Sequence, residues 1–243
     1  MKMLAFANRV RREILRDPLN LFFGLGFPIL LLLLFSAIGK SVPEAPFSIE
    51  IMAPGVAVFS LSFVTLFSAT LISRDRESAF LVRLYATPLR TRDFIFGYAL
   101  WLFPISLLMG LICFLAAIPL GLQFTGNTLL AVLFLLPVAW LQISLGLLFG
   151  SILGVKQVGG ICGALLTNLS AWLSGAWFDL ALIGGGFERI ASILPFSHAV
   201  SLVRAAIAGD LASGVWHLFP IFGYAAGISV LASLLFLRQM KKQ

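Results

Sequence analysis

Residues 94–155 read FIFGYALWLFPISLLMGLICFLAAIPLGLQFTGNTLLAVLFLLPVAWLQISLGLLFGSILGV, 62 consecutive positions without an Asp, Glu, Lys or Arg. A helix crosses the ~30 Å hydrocarbon layer with about 20 apolar residues, because in lipid only a helix or a closed barrel satisfies its own backbone polar groups. This stretch therefore accommodates two crossings and a short turn. The whole chain has the same character: 60% of its 243 residues are hydrophobic, 11% are charged and the mean hydropathy is +1.04. A soluble domain carries roughly a quarter charged residues. Segments of sufficient length and apolarity fall at 19–38, 51–73, 94–120, 129–155, 158–178 and 218–237. The expected fold is an all-α membrane protein of six transmembrane helices, an even number that returns the chain to its starting side.

Orientation follows from the basic residues, which are retained in the cytoplasm when they lie near span ends. One side holds the cluster Lys2 to Arg16, then Arg74 to Arg92, then Lys156, then Arg238 to Lys242, fourteen of the 17 in all. The other side holds Lys40, Arg189 and Arg204. Both termini are accordingly expected in the cytoplasm of a bacterial cell, with the chain multi-pass in its inner membrane. The net charge of +7 is the footprint of such insertion and points away from nucleic acid. Residues 1–39 begin like a signal peptide and contain the small Ser36, Ala37 and Gly39, but their apolar run of about 20 residues exceeds the 7–15 of a signal core, so they read as a retained span. Cys113 and Cys162 fall at different depths and read as small packing residues rather than a disulfide.

Between the spans lie three segments of different character. Residues 1–17 form an interfacial helix: at 100° per residue Met3, Phe6, Ala7, Val10 and Ile14 share one face and Lys2, Arg9, Arg12, Glu13 and Arg16 the other, with Arg11 alone on the apolar side. Asp17-Pro18 breaks it. Residues 74–93 are the most charged stretch, with Phe80, Leu81, Leu84 and Tyr85 at helical spacing up to Thr87-Pro88; a short amphipathic helix and a solvated loop held to headgroups both fit. Residues 179–217 form a mixed outer region, with a joint at Gly184-Gly185-Gly186 and two short helices broken at Pro195; a re-entrant pair and a surface cap both fit. Gly146, Gly150 and Gly154, followed by Gly159 and Gly163, recur at spacings of four, which places hydrogens on one helix face and predicts close packing of the fourth and fifth spans.

No catalytic dyad, metal cluster or nucleotide site is legible. Charged groups at a span centre are unfavourable by about 2.5–3.5 kcal/mol and are kept for function; none falls well inside a span. His198 and His217 lie at the outer boundary. Gly39-Lys40-Ser41 imitates the end of a phosphate loop, but Leu34 stands where its first glycine belongs. A multi-span chain without its own proton relay is a pore, a scaffold, or a transporter driven by another subunit.

At the charged loop Arg76-Glu77, then Leu84-Tyr85-Ala86-Thr87-Pro88-Leu89-Arg90, then Asp93 and Gly97, resemble the coupling-loop pattern of type-2 ABC transporter permeases, the group of daunorubicin-resistance and nodulation-factor exporters. Ser174-Gly175, Ile193-Leu194-Pro195-Phe196-Ser197 and Arg204 resemble that family's late motif. Ser78 and Ala79 depart from its usual Gly and Thr, and Leu194 from its Asn. The resemblance covers the chain and implies a single transmembrane domain over 1–243, paired with a second permease chain, identical or homologous, above two copies of a separate ATPase. It implies that Glu77, Arg83, Leu84 and Tyr85 contact that ATPase, with Arg76 and Arg90 near the rim, and that ATP and magnesium belong to the partner, this chain holding no cofactor and no catalytic site of its own.

The resemblance also implies a substrate slit between the second and fifth spans of the dimer. Phe59, Phe63 and Phe67 recur every four residues as an aromatic stripe, equally readable as helix packing. Thr167, Asn168, Ser170, Trp172 and Ser174 supply polar or amphipathic groups opposite. Asn168 is the strongest of these candidates, because an amide in lipid needs a partner. The expected function is export of an amphipathic or hydrophobic, drug-like compound. The alternatives are export of a lipid-linked glycan, which favours a wider and more polar channel, and a non-transporting immunity or assembly protein.

Overall fold

The computed structural model describes the backbone of residues 2–41, 48–78 and 91–240. Helix α1 (Lys2–Leu15) is followed by a turn in which Asp17 accepts from the backbone N–H of Asn20 at 3.2 Å and from its side-chain amide at 2.8 Å. Then come α2 (Phe22–Ser41), α3 (Ile49–Ser60), α4 (Ser62–Glu77), α5 (Thr91–Ala117) and α6 (Gly126–Ile152). The chain turns sharply at Leu153-Gly154 into α7 (155–174), whose middle, Gly159–Leu166, is wound as a π-helix. Four helices complete it: α8 (Gly185–Ile193), α9 (Pro195–Ala208), α10 (Leu211–Val215) and α11 (Leu218–Met240). The fold is an all-α membrane protein. The expected elements at Arg83, Leu84, Tyr85 and Arg90 lie outside the described residues.

Among the described residues five helical segments are long and apolar enough to cross a membrane, with a sixth if the bent α8–α9 pair counts as one. That pair bends by 80°, because Pro195 lacks the N–H that would continue α8. Arg204 of α9 donates to the carbonyls of Ile51, at the start of α3, and Gly175, at the end of α7, while Asn127 at the start of α6 donates to Ile207. The C-terminal part of α9 is thus tied into the bundle, with Val200, Leu202, Val203 and Ala206 fully buried. The expected fifth span is shifted to 155–174. Thr167, Asn168, Ser170 and Ser174 dilute its apolarity, and it is not among the five, yet it runs from the Glu77 end of the bundle to the Arg204 end.

The second span is the axis of the molecule. In the most apolar stretch of Ile49–Glu77 89% of the residues are buried, against 17% in the first and last spans. It is broken at Leu61, where the hydroxyls of Ser60 and Ser62 bond back to Ala57 and Phe59 at 2.7 Å; such back-bonding competes with the helical ladder and bends it.

Here the packing departs from the sequence expectation. The glycine face of α6 meets the second span rather than the fifth: a Cβ on Gly146 would overlap Ser68 Oγ, and one on Gly150 would stand 2.9 Å from the Ala69 carbonyl. Gly163 of α7 faces Leu66 of the same α4, a Cβ on Gly154 would meet Glu77, and Gly159 faces open space. Small residues let α4 stand between α6 and α7, and the buried Thr65 hydroxyl, donating to Gln142 Oε1 at 2.7 Å, ties α4 to α6. Interhelical hydrogen bonds of this kind contribute about 0.6–2 kcal/mol in lipid.

Helix α1 also differs. Its apolar face, expected against the bilayer, is covered by protein: Phe6, Ala7, Val10 and Ile14 are buried, and Phe6 packs edge-on to Tyr98 of α5 at 5.0 Å. Arg11 lies 5.0 Å over the Trp101 ring, a cation–π contact that explains a charge on the apolar side. His198 and His217, read as separate boundary residues, are paired, Nδ1 to Nδ1 at 2.8 Å.

Candidate functional site

Two regions of the second span hold the functional candidates, and α4 belongs to both. At its far end, where the chain passes toward residues 79–90, Arg76 donates to the carbonyls of Ser151 and, at 2.6 Å, Leu153, which close α6. Glu77 Oε1 accepts the backbone N–H of Val155 at 2.8 Å, opening α7. Helix C-termini carry orphan carbonyls and partial negative charge, N-termini orphan N–H groups and partial positive charge. A cation on one and an anion on the other clamp the α6–α7 corner. These two residues, expected at an ATPase contact, therefore have internal partners; Arg83, Leu84, Tyr85 and Arg90 lie outside the described residues.

Beside the clamp is a cluster that sequence reading missed. Asp75, almost fully buried, receives both Arg9 guanidinium nitrogens, at 2.9 and 2.5 Å, and the Tyr98 hydroxyl at 2.6 Å. Arg9 also reaches Glu13 at 2.6 Å. Burial raises the Glu13 carboxyl above its ordinary range, against the opposing pull of Arg9. Burial works against the Arg9 charge, but the bonds and charge of Asp75 prevail and raise its pKa. The cluster binds α1, α4 and α5 at three points. Its signal in the sequence was weak, because the partners are 66 and 23 positions apart.

Further along the second span lies a cleft of about 390 Å³, between α2 on one side and α7 on the other. Phe59 and Phe63 form its floor, and Thr167 and Asn168 line the opposite wall. Four of the eight residues expected along a substrate path thus meet in one place. The Asn168 amide donates to Ala164 of its own helix at 2.7 Å, and its side chain remains exposed to the cleft. Phe67 lies beneath Gly24, outside this cleft, and Trp172, 56% exposed, does not line it.

Sequence reading missed the other wall. Phe23, Phe27, Leu31 and Phe35 descend α2 at intervals of four and face the stripe on the second span. Phe27 lies 6.1 Å from Phe63, and Trp177 lies 5.0 Å from Phe59 and 5.2 Å from Phe35. The same spacing rule that picked out Phe59 and Phe63 would have found them. Offset and edge-on aromatic pairs contribute about 0.5–1.5 kcal/mol each beyond area burial. The result is an apolar trough with a hydroxyl and an amide on one side, suited to the body of an amphipathic molecule.

Residues 1–208 match the family described as ABC-2 type transporter. The chain is 25% identical over 206 residues to nodulation protein J of Sinorhizobium fredii, covering 83% of this chain and 75% of that protein. It is 28% identical over 170 residues to ABC transporter G family member 20 of Dictyostelium discoideum, covering 67% of this chain and 22% of the relative. It is also 28% identical over 128 residues to the putative transport permease ycf38 of Cyanophora paradoxa, covering 50% of this chain and 44% of the relative.

Proposed function

The chain belongs to the ABC-2 type transporter family, and on that premise we propose that it is the permease subunit of an exporter that moves an amphipathic or hydrophobic compound out of the cytoplasm or inner leaflet. The energy comes from a separate ATPase, two copies of which dock beneath two permease chains. The end carrying α1, the Arg76–Glu77 clamp and most basic residues faces the cytoplasm of a bacterial inner membrane, as the bias of Lys and Arg requires.

One observation carries this reading. A single rigid element, α4, leads from residues 79–90 through the Arg76–Glu77 clamp to Phe63 in the floor of the aromatic cleft. A push on the loop is transmitted along α4 and, through the clamp, to the α6–α7 corner. Because α7 forms the opposite wall, motion of that corner changes the width of the cleft. Substrate exchange between the two sides then follows ATP binding and hydrolysis in the partner.

The test is reconstitution. The chain and a partner ABC ATPase that co-purifies with it, in proteoliposomes, should move an amphipathic dye only when ATP is supplied, and Phe59→Ala with Phe63→Ala should slow that movement. The chain alone should hydrolyse no ATP. Dye movement by the isolated chain under a proton or sodium gradient would overturn the proposal.

A further inference from the structure

A second cleft, of about 410 Å³, opens between α1 and α4 on the cytoplasmic side of the aromatic one. Its floor is apolar, made by Ile14, Leu21, Phe67 and Leu71, and its rim carries Arg16 and Arg74. At 100° per residue Phe59, Phe63, Phe67 and Arg74 fall within a quarter of the helix circumference, so the two clefts share one floor along the second span. Leu15 and Phe22 beside it are 61% and 52% exposed, which opens the rim sideways to hydrocarbon.

The rim carries two carboxylates, Glu13 and Asp17, beside its two guanidinium groups, and the four are unevenly paired. Glu13 is held by Arg9, and Asp17 by the two bonds from Asn20. Arg74 reaches Asp17 only at 3.8 Å and is 60% exposed, and among the described residues no carboxylate lies within 4 Å of Arg16. Arg16 thus stands exposed with no carboxylate beside it among the described residues, and Arg74 with one long ion pair, at the mouth of an apolar groove. Guanidinium forks match phosphate and carboxylate oxygens.

We propose that this cleft is the entry site for an anionic amphiphile drawn from the adjacent leaflet. Arg16 and Arg74 hold its acidic headgroup, while its apolar tail lies over Phe67 toward the aromatic cleft. This names the substrate class of the permease reading and rests on it. A free anion lacks the tail that the floor receives, and a neutral or cationic amphiphile lacks the group that the rim binds.

The test uses the full chain in phosphatidylcholine nanodiscs, without ATPase, titrated with 10-bromodecyl phosphate, whose bromine quenches Trp177 from the upper cleft. Trp177→Phe identifies that signal. The phosphate should bind about tenfold more tightly than 10-bromodecanol or 10-bromodecyl-trimethylammonium, as loss of one charged hydrogen bond implies. Arg16→Gln with Arg74→Gln should erase the preference while leaving the affinity for the alcohol unchanged, which also shows that the variant is folded; Arg16→Lys with Arg74→Lys should restore part of it. Equal binding of phosphate and alcohol, an unchanged preference in the Gln variant, or displacement of the amphiphile by an equal concentration of inorganic phosphate would each overturn the inference. ATP-driven transport without headgroup preference defeats this inference alone, and headgroup preference without ATP-driven transport defeats the permease reading alone.

Discussion

Arg9 of α1 and Asp75 of α4 form a two-point ion pair across 66 positions of sequence, and the Tyr98 hydroxyl completes the carboxylate's partners. The pair joins the N-terminal helix to the element that floors the cleft. Its side chains differ in exposure, 30% for Arg9 and 3% for Asp75. Removing either partner therefore has unequal consequences.

Arg9→Gln leaves a buried carboxylate without its counter-charge and should lower stability by up to about 3 kcal/mol, the low end for a broken buried pair because Arg9 is partly solvated. Asp75→Asn keeps one acceptor oxygen, enough for Arg9 Nη1 and the Tyr98 hydroxyl, and leaves a partly solvated guanidinium that still reaches Glu13, so it should be milder. In the double variant the buried carboxylate is removed together with its counter-charge, leaving only the part-exposed Glu13 without Arg9, so its loss should fall short of the sum. Thermal unfolding in detergent reads all three; strict additivity would show that the pair is not coupled.

Gly146→Ala should disrupt the α4–α6 contact, because its Cβ meets Ser68 and the Thr65 carbonyl; overpacking of this kind destabilises by about 1–3 kcal/mol. Gly159→Ala faces open space and should be neutral or stabilising by up to about 1 kcal/mol, since Ala is the better helix former. The two melting temperatures should move in opposite directions or differ clearly.

Glu77 offers a distinction between charge and hydrogen bonding. If its work is to accept the Val155 N–H, Glu77→Gln should retain most ATP-driven transport in the reconstituted complex, while Glu77→Ala should lose most of it. Equal loss in both variants would mean that the negative charge itself is needed, at the ATPase or elsewhere.

His198 and His217 join α9 to the start of α11. His198→Ala or His217→Ala leaves one half-buried ring without its partner, a loss of about 1–2 kcal/mol. Hydrogen exchange should quicken in α9 in both variants and no further in the double one. Unchanged protection of α9 would show that the pair does not hold that helix in place.

The absence of charge over 94–155 and the asymmetry of Lys and Arg were sufficient to establish an all-α membrane fold, because lipid penalises each exposed backbone or charged group locally, residue by residue. The stripe at Phe59 and Phe63 was legible for a related reason, since helical spacing alone places those rings on one face. What covers that face was not, although Phe23, Phe27 and Phe35 carry the same spacing. Nor was it legible that the glycines of α6 receive α4, or that the polar-side Arg9 reaches Asp75. Periodicity states which residues share a side; only three-dimensional packing, where small surfaces, buried hydrogen bonds and paired charges compete for neighbours far apart in the chain, decides which helix that side meets.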